Sequence, residues 1–97
     1  MRRHYEVMMI LDPRLEEPAI QDAVGRLLGV LGDRGGEVLK VNHWGRRKFA
    51  YEMRHLREGY YVVADFEADS GAVKELDRVL KLADEVVRHK IVRPGKD

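Results

Sequence analysis

Asn42-His43-Trp44-Gly45-Arg46-Arg47-Lys48-Phe49-Ala50-Tyr51 stands at the middle of the 97-residue chain and decides how the rest is arranged. It holds the only tryptophan, three consecutive cations and two further aromatics. Glu37-Val38-Leu39-Lys40-Val41 leads into it as a strand, and Phe49-Ala50-Tyr51-Glu52-Met53 alternates beyond it. Gly45 inside that run marks a bulge or bend. The whole therefore reads as one long, bent strand. Arg54-His55-Leu56-Arg57-Glu58-Gly59 is polar enough to be a hairpin connection into a third strand, Tyr60 to Glu67. There Tyr60, Val62, Ala64 and Phe66 share one face, and Tyr61, Val63, Asp65 and Glu67 the other.

Upstream, Tyr5-Glu6-Val7-Met8-Met9-Ile10-Leu11 begins with alternation and becomes apolar on both faces, as a central strand does. Asp12-Pro13-Arg14 turns the chain. Ile20, Val24, Leu27, Leu28 and Leu31 then recur at helical spacing, after acids and a proline (Glu16, Glu17, Pro18) that suit a helix N-terminus. Gly25, Gly29 and Gly32 weaken this helix by about 1 kcal/mol each relative to alanine, so it leans on packing, the small residues allowing close approach of a neighbour. Gly35-Gly36 supplies a left-handed stop. Downstream, Asp69 and Ser70 are candidate caps for a second helix with Val73, Leu76, Leu80 and Ala83 as its stripe, and no capping box accompanies them. Val86 to Arg93 is a last, basic strand, ended by Pro94-Gly95. The order β-α-β-β-α-β predicts an α+β, ferredoxin-like domain: a four-stranded antiparallel sheet with both helices on one face. Its other face, with Met8, Ile10, Tyr61 and Val63, is left for a partner.

Length and composition fit a single domain over residues 1–97, with 94–97 a short tail. At 44% hydrophobic and 36% charged residues the chain is globular, and without cysteine it has no disulfide framework and no thiolate nucleophile. The apolar run Val7 to Leu11 is too short for a signal segment, and no window approaches a membrane span. The expectation is a cytoplasmic protein without membrane contact.

Charge is sorted rather than abundant. Formal net charge is only +1, yet Lys40 to Arg57 holds six cations (Lys40, Arg46, Arg47, Lys48, Arg54, Arg57) and one acid, Glu52. Cations interleaved with planar groups suit a phosphate backbone carrying unpaired bases. The alternative is a solvated cationic loop whose tryptophan caps the core. Arg2, Arg3, Arg88, Lys90 and Arg93 add to the basic face if the first and last strands pair and gather them toward one region. His4, His43, His55 and His89 lack ligand spacing, so no metal site is expected. Asp65 and Glu67 share a face without forming a catalytic pair, and no P-loop, nucleophile elbow or dinucleotide fingerprint occurs. Neither an enzyme, a cofactor nor a small-molecule substrate is implied.

Two relatives of this topology fit less well. RNA-recognition (RRM) domains read single-stranded RNA through third-strand aromatics, but here Glu58 replaces a cation, Tyr61 a small residue and Val62 an aromatic. Acylphosphatases would cast Arg14 and Asn42 in catalytic roles, but the glycine-rich phosphate loop is missing. A ligand-binding ferredoxin-like domain with no RNA is the competing class.

Arg2-Arg3-His4-Tyr5-Glu6-Val7-Met8, Trp44-Gly45-Arg46-Arg47-Lys48-Phe49-Ala50-Tyr51, Gly59-Tyr60-Tyr61 and Asp84 to Val92 together resemble one family, over residues 2 to 93. It is that of the sixth protein of the bacterial small (30S) ribosomal subunit. The resemblance implies a structural constituent of that subunit. It implies binding to the central domain of 16S rRNA together with ribosomal protein S18, as a heterodimer. It points to Arg2, Arg3, His4, Trp44, Arg46, Arg47, Lys48 and Arg88 for RNA contact. Tyr51, Tyr61 and Val63 are the expected protein-partner surface, as apolar residues the helices leave uncovered. Glu52 departs from the family pattern, where proline is common after Ala-Tyr.

Overall fold

The computed structural model describes residues 1–95, so the last two residues of the expected 94–97 tail lie outside it. Its elements run β1 (Arg3–Leu11), α1 (Glu17–Asp33), β2 (Glu37–Met53), β3 (Leu56–Ala68), α2 (Ser70–Leu82) and β4 (Val86–Val92). They form one antiparallel sheet in the order β2-β3-β1-β4. This is the ferredoxin-like arrangement the sequence predicts.

Alternation places the core. Val7, Met9 and Leu11 of β1 and Tyr60, Val62, Ala64, Phe66 and Ala68 of β3 are buried under Ile20, Val24, Leu27, Leu28 and Leu31 of α1 and Ala72, Leu76 and Leu80 of α2. Helix α1 ends in a Schellman motif. The Gly36 N–H donates to the Leu31 carbonyl at 2.7 Å and the Gly35 N–H to that of Gly32 at 3.1 Å, with Gly35 at φ +82°. Asp69 caps α2, its Oδ1 accepting from the Ala72 N–H at 3.0 Å. The small stripe of α1 does not receive a neighbour: a Cβ at Gly25, Gly29 or Gly32 would meet nothing within 4 Å.

Three irregularities shape the molecule. The β2–β3 register slips between His43 and Gly45, where Gly45 takes φ +86°. The expected connection over residues 54–59 is shorter than that: Met53 pairs with Leu56, and Arg54 (φ 51°) and His55 (φ 63°) alone make the turn. Two left-handed residues match the twist of a tight hairpin, a conformation usually reserved for glycine or asparagine, which hid it from a reading of composition. The β1–β4 register slips between Ile10 and Leu11, so Val87 is looped out of the ladder. The Arg54 guanidinium answers that slip, donating to the carbonyls of Val86 at 3.0 Å and Val87 at 3.1 Å. The hairpin tip is thereby tied to the start of β4.

Candidate nucleic-acid interface

The sheet face away from the helices carries two different surfaces. Cross-strand register aligns Gly45, Tyr61, Ile10 and Arg88 in one row and Asn42, Val63, Met8 and Lys90 in the next. Further along, the face becomes ionic and self-compensating. Arg2 reaches Glu37 at 3.2 Å and Glu67 at 3.7 Å, and His4 lies 3.6 Å from Asp65.

The bulge at Gly45 builds the aromatic end. It delivers Trp44 onto this face, where its ring lies parallel to that of Tyr61 (centroids 6.4 Å apart, 8° between planes). Phe49 meets Tyr61 edge-on, centroids also 6.4 Å apart. The Arg47 guanidinium lies 5.6 Å from the centre of the Trp44 ring. Trp44 stays 49% exposed, so this ladder of planar groups is presented to solvent rather than spent on the core.

Arg46 goes to the other face. Its guanidinium donates to the carbonyls of Pro13 at 3.1 Å and Leu15 at 3.3 Å and lies 5.8 Å from the centre of the buried Tyr60 ring. Tyr60 in turn shares a 3.1 Å hydrogen bond with His43 Nδ1. Burial pushes the Tyr60 phenol above its ordinary range, Glu17 adding to the shift and Arg46 opposing it. Arg46 therefore straps β2 to the loop before α1. Lys48 is exposed opposite Glu58.

The expected RNA residues do not gather in one place. Arg3 pairs with Ala68, whereas Ile10 pairs with Tyr61, seven residues on; at strand rise this puts Arg2, Arg3 and His4 about 23 Å from the aromatic end. Trp44 and Arg47 on β2 share this end of the sheet with Arg88 and Lys90 on β4, which lie at the opposite edge. Of the three residues expected for a protein partner, Tyr51 is 71% exposed and Tyr61 belongs to the aromatic ladder. Val63 is only 8% exposed, covered although no helix lies over it. It lies on the side the helices leave uncovered, as expected, but presents little surface.

Elsewhere, Arg14 makes a two-pronged contact with Asp12, at 3.0 Å and 2.7 Å, and holds that carboxyl below its usual range, which ties up the arginine an acylphosphatase would use. Among the described residues no three potential metal ligands converge, and no helix is long and apolar enough to cross a membrane. Met53 was not singled out by the sequence, and Arg54 was counted there only among the cations of the basic stretch. Counting alternation outward from the Gly45 bulge is the signal that separates Arg46 from Arg47.

The family model described as ribosomal protein S6 matches residues 4–93. The chain belongs to the ribosomal protein S6 family. A small ribosomal subunit protein bS6 from Carboxydothermus hydrogenoformans is 48% identical, the match covering 99% of this chain and 100% of the relative. That from Streptomyces coelicolor is 49% identical over 95% and 96% of the two chains. The crystal structure of 30S ribosomal protein S6 from Thermotoga maritima superimposes with a TM-score of 0.90 at 33% identity, covering 96% of this chain and 88% of that one. Members of this family are structural constituents of the small subunit of the cytoplasmic ribosome, and this chain is accordingly a ribosomal protein and not an enzyme.

Proposed function

We propose that this chain binds the central domain of 16S ribosomal RNA together with ribosomal protein S18, as one half of a heterodimer that fixes an RNA junction during small-subunit assembly. The observation that carries the reading, beside family membership, is the Arg47–Trp44–Tyr61 ladder on the sheet face no helix covers. Cations alone give affinity without position. A guanidinium lying over an exposed indole offers phosphate neutralisation and a planar contact at one point.

The candidate RNA residues then have unequal roles. Trp44, Arg47 and Arg88 form the principal contact, and Lys48 and Arg3 contribute exposed charge. Arg2 and His4 must exchange their acidic partners for phosphates, which weakens their net contribution. Arg46 acts mainly through the fold. Tyr51, exposed near the end of β2, is the favoured contact for the protein partner. A small domain of this kind presents too little surface for tight, selective RNA binding alone, so the partner enlarges the interface. Filter binding of a central-domain RNA fragment across a salt series, with and without the partner, tests this. Salt-dependent affinity that rises with the partner is the expected result.

A further inference from the structure

A trough of about 450 Å³ lies on the helix side of the sheet, between α1 and the outermost strand β2, lined by Val24, Gly25, Leu28 and Gly29 of α1 and by Val38 and Val41 of β2. We propose that this trough docks an amphipathic helix of a partner protein, one whose apolar stripe is flanked by lysine or arginine. The trough and the aromatic ladder lie on opposite faces of the sheet, so the proposal stands apart from the RNA-binding reading.

Three glycines weaken α1 for no reason found inside the chain. Gly25, Gly29 and Gly32 are each poorer helix formers than alanine, yet none takes a positive φ, and a Cβ on any of them would meet nothing within 4 Å. Neither a turn nor internal packing requires them. Two of them belong to the row Glu17, Gln21, Gly25, Gly29 and Asp33, spaced four apart along one line of the helix and exposed throughout. Such rows form the ridges that interlock when helices pack. Here the middle of the row is a notch that lets a second helix approach closely. The facing wall comes from β2. Val38 and Val41 share the helix side with their cross-strand partners Phe66 and Ala64, which are buried, but they stay 36% and 38% exposed at the sheet edge.

Charge complementarity selects the occupant. Glu17 and Asp33 close the two ends of the row and Asp22 stands three residues before Gly25 on its outer rim. Among the described residues none of the three lies within ion-pair distance of a cation. The cations of α1 are engaged elsewhere, Arg26 with Glu85 and Arg34 with Glu75 of α2. Uncompensated carboxylates around an apolar floor repel a phosphate backbone and suit a partner with an apolar core and a cationic rim. The 17 residues from Glu17 to Asp33 rise about 24 Å, so a helix of about four turns reaches the acids at both ends. Helix-in-groove recognition uses anchors three and four residues apart, the spacing that the notch and its flanking acids offer.

The full chain is titrated with a labelled helical peptide of about 18 residues, long enough for the row, whose leucine stripe is flanked by lysines. A counterpart carrying glutamates in place of the lysines is the control, and anisotropy reads affinity. The lysine peptide is expected to bind about tenfold more tightly than the glutamate peptide. Gly29→Leu fills the notch at a position with open space, so it should keep the melting temperature while weakening the lysine peptide about tenfold. Glu17→Gln with Asp33→Asn should weaken the same peptide and flatten its salt dependence. Glu6→Gln, on the other face of the sheet, should do neither. Lysine-peptide affinity indifferent to Gly29→Leu, or weakened equally by Glu6→Gln, would overturn the site. So would a fall in melting temperature for Gly25→Ala, which would give that glycine a role inside the fold. An RNA fragment whose binding is lost in Gly29→Leu would overturn the proposal in favour of a nucleic-acid occupant.

Discussion

Arg46 and Arg47 are adjacent in the chain and leave β2 on opposite faces of the sheet. Arg46 is bound to the Pro13 and Leu15 carbonyls on the helix side, whereas Arg47 lies over Trp44 on the open side. Their variants should therefore separate. Arg47→Ala should lower the log–log salt slope of RNA binding by about 0.7 to 0.9 with little change in stability. Arg46→Ala should cost about 1 kcal/mol of stability, through lost charge-assisted hydrogen bonds and the contact with Tyr60, with a smaller effect on the slope. Denaturant titrations and a salt series on the two variants check this together.

The bulge that produces this division depends on Gly45 at φ +86°. A β-branched side chain there costs about 1–2 kcal/mol and favours loss of the bulge. Restoring regular pairing would slip the register and turn Trp44 to the helix side. Gly45→Val should thus lower the melting temperature and alter Trp44 emission in the absence of RNA.

Arg54 and His55 share the left-handed turn, but only Arg54 donates to the β4 carbonyls. His55→Gly relieves strain alone and should stabilise by up to about 1 kcal/mol. Arg54→Gly relieves the same strain but gives up two hydrogen bonds of about 0.5–1.5 kcal/mol each, so it should be net destabilising. Equal effects of the two variants on thermal melting would refute the tie.

Gly59 is needed for a different reason. A Cβ there would run into Ile10 Cγ2 and come within 2.8 Å of Phe49 Cζ. Gly59→Ala should cost about 1–3 kcal/mol and displace the Phe49 ring from Tyr61. For a domain of this size that is a fall in melting temperature of roughly 4–8 °C per kcal/mol.

Acid should loosen α2 from β4. The hydrogen bond from His89 Nε2 at 2.7 Å, and then that from Lys81, hold the Asp77 carboxyl below its ordinary range. A carboxyl depressed in the folded state contributes stability above its unfolded value, near 4, and loses it as pH falls through the folded value. Stability should therefore decline below about pH 4, and Asp77→Asn should flatten that decline while lowering stability at neutral pH. Urea midpoints measured across pH on both proteins give the comparison.

The sequence carried the sheet and both helices because their signals are local: alternation in β1 and β3, helical stripes in α1 and α2, and the Gly35-Gly36 stop. It carried the Gly45 irregularity for the same reason. The Arg54-His55 turn escaped because nothing in its composition marks left-handed backbone, which is imposed there by the twist of the hairpin and the tie to β4. For Val63, alternation gives the face but not the degree of exposure, which is only 8%. The expected clustering of all the cations failed for a geometric reason. Pairing β1 with β4 does bring Arg88 and Lys90 to the aromatic end, but it leaves Arg2, Arg3 and His4 at the far end of β1.

Affinity for a central-domain 16S RNA fragment, measured at fixed salt for this protein alone and then with ribosomal protein S18, tests the account most directly. Weak binding alone that strengthens at least tenfold with the partner, and falls again in Arg47→Ala, is the predicted result. Full affinity in isolation, or affinity indifferent to both the partner and Arg47, would contradict it.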